Sequence, residues 1–218
     1  MKNIFNQNKI FILLHAFCFC IAVVVIFNSD KLNLHLFFNG LVTPLFNRFF
    51  EYATYIGDGI FIIPCIVLML FFNVQKSITL LFTYLISAGI TQGIKMIFFK
   101  EYDRPFLVFR NNNIPLNVIE GVNLNIHHSF PSGHTTAAFS MFFCLSFFST
   151  NNLTQILCFM AALLVAFSRV YLSQHFFEDI TVGSFIGVLF SWIVCAILYQ
   201  TKISQKFNTL QKPIWKLF

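Results

Sequence analysis

Six stretches of the chain are apolar over about the ~20 residues a helix needs to cross a bilayer. They lie at about 10 to 27, 54 to 72, 77 to 98, 132 to 149, 153 to 171 and 176 to 199. The pattern predicts an all-α, polytopic membrane protein with six transmembrane helices. Between the first two spans, Leu32 to Phe50 is amphipathic and broken by Pro44, which predicts a segment lying in the membrane interface. The longest polar segment, about Phe99 to Pro131, joins the third span to the fourth, and loops of that length in compact proteins are usually functional or disordered. The first span, "IFILLHAFCFCIAVVVIFNSD", offers no convincing small-x-small cleavage site and reads as an uncleaved anchor. No internal repeat or low-complexity tract marks a second domain, so residues 1–218 are read as one membrane domain.

Composition strengthens this reading. Hydrophobic residues make up 57% of the chain and charged residues 10%, and the 32 phenylalanines leave few polar side chains to cover a water-exposed surface. The six cysteines, Cys18, Cys20, Cys65, Cys144, Cys158 and Cys195, all fall inside apolar runs and read as packing residues. The net charge of +6 does not point to nucleic acid, because Lys and Arg are spread along the chain without a basic cluster interleaved with aromatics.

Six spans would place both termini on one side, together with the turns near Asn73 to Lys76 and Ser149 to Asn152. That side holds Lys2, Lys9, Lys76, Lys202, Lys206, Lys212 and Lys216 and no acid. The other side holds the remaining Lys and Arg and all 8 acids. Raw Lys and Arg counts tie, and Lys and Arg are what orient a membrane protein. The tie breaks if Lys95, Arg104 and Arg169 are held outside by function, which predicts cytoplasmic termini and places the unusual polar residues on the outer face. Asp58, in "YIGDGIF", reads most simply as the N-cap of the second span.

Three places on that face carry chemistry. In "KMIFFKEYDRP", Lys95 ends the third span and Arg104 and Pro105 follow in the loop. In "SFPSGHTTAAF", Ser132, Gly133 and His134 open the fourth span, where a helix N-terminus presents free N–H groups to an anion. In "SRVYLSQHFFED", Arg169 ends the fifth span while His175 and Asp179 begin the sixth. Four residues apart on a helix, His175 and Asp179 share a face. The carboxylate can fix one tautomer and leave the other ring nitrogen as nucleophile or base. Glu178 points about 100° away and is less well placed. Any one of these features alone is ordinary capping or snorkelling chemistry. Together, three cations, two histidines and a helix N-terminus share phosphate as their simplest common ligand.

Pro131 to His134, followed by Ser168-Arg169, His175 and Asp179, resembles the signature of the type 2 phosphatidic acid phosphatase superfamily, which also includes vanadium haloperoxidases. The six-span layout resembles its bacterial membrane lipid phosphatases, and the likeness covers essentially the whole chain. One departure is visible: the family lysine usually precedes Arg-Pro by six residues, whereas eight separate Lys95 from Arg104. Lys100 is the rival, but Lys95 ends an apolar span as the family lysine does.

The resemblance implies a helical bundle that hydrolyses the phosphate of a lipid. His175 would attack phosphorus to form a phosphohistidine, with Asp179 holding its tautomer. His134 would protonate the leaving oxygen and then activate water. Lys95, Arg104, Ser132, Gly133 and Arg169 would bind the phosphoryl oxygens, and the fixed cations would replace magnesium, so no cofactor or metal is called for. Undecaprenyl diphosphate, lipid A phosphates, phosphatidylglycerol phosphate and phosphatidate are the candidate substrates, with the Phe99 to Pro131 loop shaping the choice.

A lipid phosphotransferase would use the same histidines, and a non-enzymatic phosphate-lipid-binding protein would use the same cations. A haloperoxidase is disfavoured by six hydrophobic spans. A metal site built from His127, His128, His134, His175, Glu178 and Asp179 would place a divalent ion among cations, and no HExxH motif is present. His127 and His128 read as loop polarity, and His15 and His35 as packing and interfacial residues.

Overall fold

The computed structural model describes residues 4–201 and 203–216; Lys2 and Lys202, two of the charges used to orient the chain, lie outside them. Eleven helices follow one another among the described residues: α1 Ile4–Gln7, α2 Lys9–Asn28, α3 Lys31–Asn39, α4 Pro44–Ala53, α5 Gly59–Leu70, α6 Val74–Phe98, α7 Pro105–Asn111, α8 Gly133–Phe147, α9 Asn152–Tyr171, α10 Phe177–Gln200 and α11 Ile203–Phe207. No strand occurs among these residues, as the sequence pattern predicts.

The count of six spans is not reproduced as six equal helices. α2, α6, α9 and α10 are long and apolar enough to cross a membrane. A fifth crossing is possible if Pro44–Gly57 and Gly59–Leu70, bent by 51°, count as one span. The remaining expected span is α8, whose 15 residues make about 22 Å of helix, short of the ~30 Å hydrocarbon core. Packing supplies the reason. α8 is enclosed by α6, α9 and α10 and buries nearly every residue from Thr135 to Phe147, so it behaves as the core of the bundle rather than a lipid-facing span.

The close fit of α10 on α8 comes from small residues. A Cβ on Gly183 would stand 2.7 Å from the Ser132 carbonyl oxygen, and one on Gly187 would stand 2.6 Å from that of Thr136. Glycines four apart therefore let two backbones approach as larger side chains would not. Hydroxyls use the gap: Thr136 Oγ1 donates to the Gly183 carbonyl at 3.0 Å, and Ser191 Oγ to Ser140 Oγ at 3.0 Å. Below the polar end, Phe11 packs edge-on against Phe139, Phe143 and Phe159. All six cysteines are unpaired.

The amphipathic segment forms two helices. Asp30 caps α3 by accepting from the Leu32 and Asn33 amides. Pro44 opens α4, where its missing N–H costs nothing. α4 buries Phe50 and exposes Leu45, Phe46 and Phe49. His35 proves to be more than an interfacial residue. It is buried between Phe109 and Phe176, and its Nε2 lies 3.2 Å from Ser173 Oγ in the turn before His175. Asn39 Nδ2 reaches the same hydroxyl at 3.3 Å, so α3 holds that turn from outside.

Candidate active site

Each chemical residue sits where a helix starts or stops. Lys95 occupies the last turn of α6, and Arg104 is the N-cap of α7, opposite the free end of α8. The longer linker between them turns back on itself: the Arg104 amide donates to the Ile126 carbonyl at 2.8 Å and the Ser129 amide to the Tyr102 carbonyl at 2.8 Å. Ser132 caps α8, its Oγ accepting from the Thr135 amide and hydroxyl. A Cβ at Gly133 would meet only open space, so the backbone there borders a cavity. Arg169 lies in the last turn of α9, and His175 in the connection to α10.

His175 is 1% exposed, and its Nδ1 lies 3.2 Å from Asp179 Oδ2. The same oxygen accepts from Ser129 Oγ at 2.5 Å and from the Phe176 amide at 2.9 Å, which locks the carboxylate. Among the described residues nothing hydrogen-bonds His175 Nε2. Burial first, and then the charges of Arg104, Arg169 and Lys95, hold the His175 imidazole well below its usual range. Both effects favour the neutral ring, whose lone pair is the one a nucleophile needs.

Among the described residues none of the three cations forms an ion pair, although Asp179 lies near Lys95 and Arg104, and Asp58 near Arg169. Arg104 donates only to neutral oxygens: Nε to the His127 carbonyl at 2.9 Å, and Nη1 to the Gln174 carbonyl and side chain at 3.1 and 3.2 Å. Arg169 Nη1 donates to Thr54 Oγ1 at 2.6 Å, while its buried Nε has no partner. Lys95 is buried, and its ammonium makes no hydrogen bond or ion pair among the described residues. Lys100, the rival lysine, is exposed. Buried charge is costly unless paired, so an anion held by this cluster would offset that cost.

Three adjoining cavities surround the cluster. One of about 370 Å³ is bordered by Thr54, Asn123, His134, Arg169 and Gln174. Another of about 400 Å³ is bordered by Gln92, Lys95, Arg104, Asn125, His127 and His128. A third of about 300 Å³ lies beside Gly133, His134 and Tyr84.

Sequence reasoning missed the side chains that hold this machinery. Thr54, Ser129 and Gln174 are neutral residues without a motif of their own. Asp58 is the expected cap, accepting from the Ile60 amide at 3.1 Å, but its other oxygen lies 3.4 Å from His134 Nε2. Glu178 faces away from His175 and pairs with Lys31 at 2.6 Å, with Tyr102 donating to the same oxygen at 2.9 Å. His127 borders a cavity and pairs with Asp103 at 2.8 Å. Among the described residues no group of three His, Cys, Asp or Glu side chains is arranged to hold a metal ion.

The family described as the PAP2 superfamily matches residues 76–203, which contain every candidate site residue. The fold is similar to that of LpxE from Aquifex aeolicus, with a TM-score of 0.65 and 26% identity, covering 77% of this chain and 96% of that one. It is also similar to the transmembrane PAP2-type phosphatidylglycerolphosphate phosphatase from Bacillus subtilis, with a TM-score of 0.64 and 22% identity over 91% of this chain and 98% of that one. No curated protein matches the sequence.

Proposed function

The chain belongs to the PAP2 superfamily, and from that premise we propose that it is an integral membrane phosphatase that removes a terminal phosphate from a lipid through a phosphohistidine on His175. The observation that carries this reading is the set of three buried cations, none in an ion pair among the described residues, gathered around an imidazole that Asp179 orients. A phosphate completes that set.

In this reading Lys95, Arg104 and Arg169 bind the nonbridging oxygens, helped by Ser132 and the Gly133 amide at the start of α8. These groups meet the charge that grows in the transition state, and being fixed they need no reorganisation. His175 Nε2 attacks phosphorus in line with the ester oxygen. The P–O bond breaks as the P–N bond forms, and His134 gives its proton to the departing oxygen. Water then loses a proton to His134 and attacks phosphorus, and the P–N bond breaks to release phosphate. Asp179 keeps the His175 proton on Nδ1 throughout.

The apolar helices around the site suit a substrate arriving from the bilayer, and undecaprenyl diphosphate, lipid A phosphates, phosphatidylglycerol phosphate and phosphatidate all fit this chemistry. With Lys95, Arg104 and Arg169 held outside by this function, the remaining Lys and Arg favour cytoplasmic termini and an outward-facing site in the plasma membrane. Residues 1–218 act as one membrane domain.

The test is phosphate release by the detergent-solubilised protein from these four lipids in excess EDTA, beside His175→Ala. Release that survives chelation, disappears in the variant and leaves 32P on the protein in an acid-labile bond is expected. Release abolished by EDTA would replace this mechanism with a metal-dependent one. Transfer of the phosphate to an added alcohol with no release to water would assign a phosphotransferase.

A further inference from the structure

We infer that Asp58 is a positioning residue for His134, forming a second histidine–carboxylate pair that a bend in the chain, rather than the start of a single helix, brings together. The inference rests on His134 acting as the acid and base of the proposed reaction.

Capping α5 occupies only one Asp58 oxygen, Oδ1, which accepts from the Ile60 amide. Oδ2 lies 3.4 Å from His134 Nε2, with each side chain about one-third exposed. The sequence "GDG" makes the approach possible. A Cβ on Gly57 would stand 2.8 Å from the His134 carbonyl oxygen and 2.6 Å from Val165 Cγ1, and one on Gly59 would stand 3.0 Å from the Tyr84 hydroxyl. Any larger residue at position 57 forces this segment away from α8. Asp58 also stands at the 51° break between the Pro44–Gly57 segment and α5. The bend therefore delivers a carboxylate to a chosen point.

His134 needs that carboxylate. Arg169 from α9 and Arg104 from the start of α7 face it, and His175 approaches from the turn before α10. Tyr84 of α6, Tyr55 and Glu51 share its cavities, but Glu51 is engaged by Arg48 at 3.1 Å. Two neighbouring guanidinium charges oppose a protonated imidazole. Asp58 is the carboxylate in contact, and it favours the imidazolium that must supply the proton. With Nε2–H directed to Asp58, Nδ1, which has no partner among the described residues, is left to meet the leaving oxygen. After the first proton transfer the same tautomer leaves the Nδ1 lone pair ready to take a proton from water.

The test compares kcat/KM against pH for an alkyl phosphate lipid and for p-nitrophenyl phosphate, whose leaving group needs little protonation. Asp58→Asn keeps an oxygen for the cap but removes the charge. Asp30→Asn changes a cap of the same kind at α3, away from the cluster, and serves as the control. For Asp58→Asn, a fall of ~10- to 100-fold on the alkyl phosphate is expected, with a much smaller fall on the aryl phosphate. Its alkaline limb is expected to move to lower pH by about one unit, because a less stabilised imidazolium gives up its proton sooner. Asp30→Asn leaves both profiles in place. Equal losses on both substrates with an unmoved limb would overturn the inference and reduce Asp58 to a cap. If the native protein hydrolyses neither substrate, or His134→Ala leaves the alkyl rate intact, the proposed reaction fails and this inference falls with it.

Discussion

The two histidine–carboxylate pairs are built in opposite ways. His175, just before α10, and Asp179, in its first turn, are four residues apart, almost fully buried, and held by Ser129 and the Phe176 amide. His134 and Asp58 come from distant parts of the chain, stand 3.4 Å apart, and border open cavities. The first arrangement suits a nucleophile, whose lone pair must be aimed and kept neutral. The second suits a group that exchanges protons with a leaving oxygen and with water. Residues close in sequence make the buried pair, while a tertiary contact makes the pair that borders the cavities.

The sharpest way to break this comparison is to remove tautomer control from the buried pair. Asp179→Asn should lower kcat by ~10³- to 10⁴-fold, as the wrong tautomer does in other histidine–carboxylate pairs, while the circular dichroism of the helices stays unchanged. Retention of more than about a tenth of the activity would show that His175 is oriented by something else.

Next in size is the cation set shared by both pairs. Lys95→Ala should cost ~10²-fold or more in kcat/KM, because a buried charge aimed at the phosphoryl group is lost. Exposed Lys100→Ala should change the rate by less than about twofold. Equal effects of the two substitutions would undo the choice of Lys95.

Packing can separate the pairs without touching a titratable group. Gly57→Ala places a methyl against Val165 and the His134 backbone, and should cost about 1–3 kcal/mol in stability by overpacking. Activity should fall ~10-fold beyond what the lost folded fraction explains, because Asp58 is pushed from His134. Thermal melting and kcat/KM on the same sample separate the two effects.

The smallest effect concerns the outer brace of the His175 turn. Burial, followed by the charge of Lys31, lowers the His35 pKa to about 4. The unfolded chain binds this proton near pH 6.5 and the folded protein only near 4, so between those values the unfolded state holds more protons. Stability contributed by neutral His35 is complete above pH 6.5 and declines as pH falls towards 4. Melting temperatures across that window should drop less steeply in His35→Asn than in the native protein, with the difference amounting to a few kcal/mol at most.

Much of the fold was legible because it rests on local pattern. Hydropathy located the six apolar helices to within about five residues but not α1, α7 or α11, and the caps Asp58 and Ser132 announced themselves by residue type. The reading went astray at α8, where an apolar run of near-span length becomes a short helix wrapped by others. Lipid and protein interiors select the same side chains, so hydropathy cannot distinguish them. Thr54, Ser129 and Gln174 were invisible for a different reason: neutral side chains gain a role only from what stands opposite them, and nothing in their sequence neighbourhood encodes that partner.

The sequence by itself determined an all-helical membrane chain, the four-residue spacing of His175 and Asp179, which meet across the start of α10 and not on one helix face, and the residue types able to hold a phosphate. Only the tertiary structure decided that Lys95, Arg104 and Arg169 converge without an ion pair among the described residues, that α8 forms the centre, and that Asp58 reaches His134. Periodicity and capping act within a few residues and survive in a one-dimensional string. Convergence depends on how closely helices approach, and here that is set by Gly57, Gly183 and Gly187, where a single added methyl would keep the backbones apart.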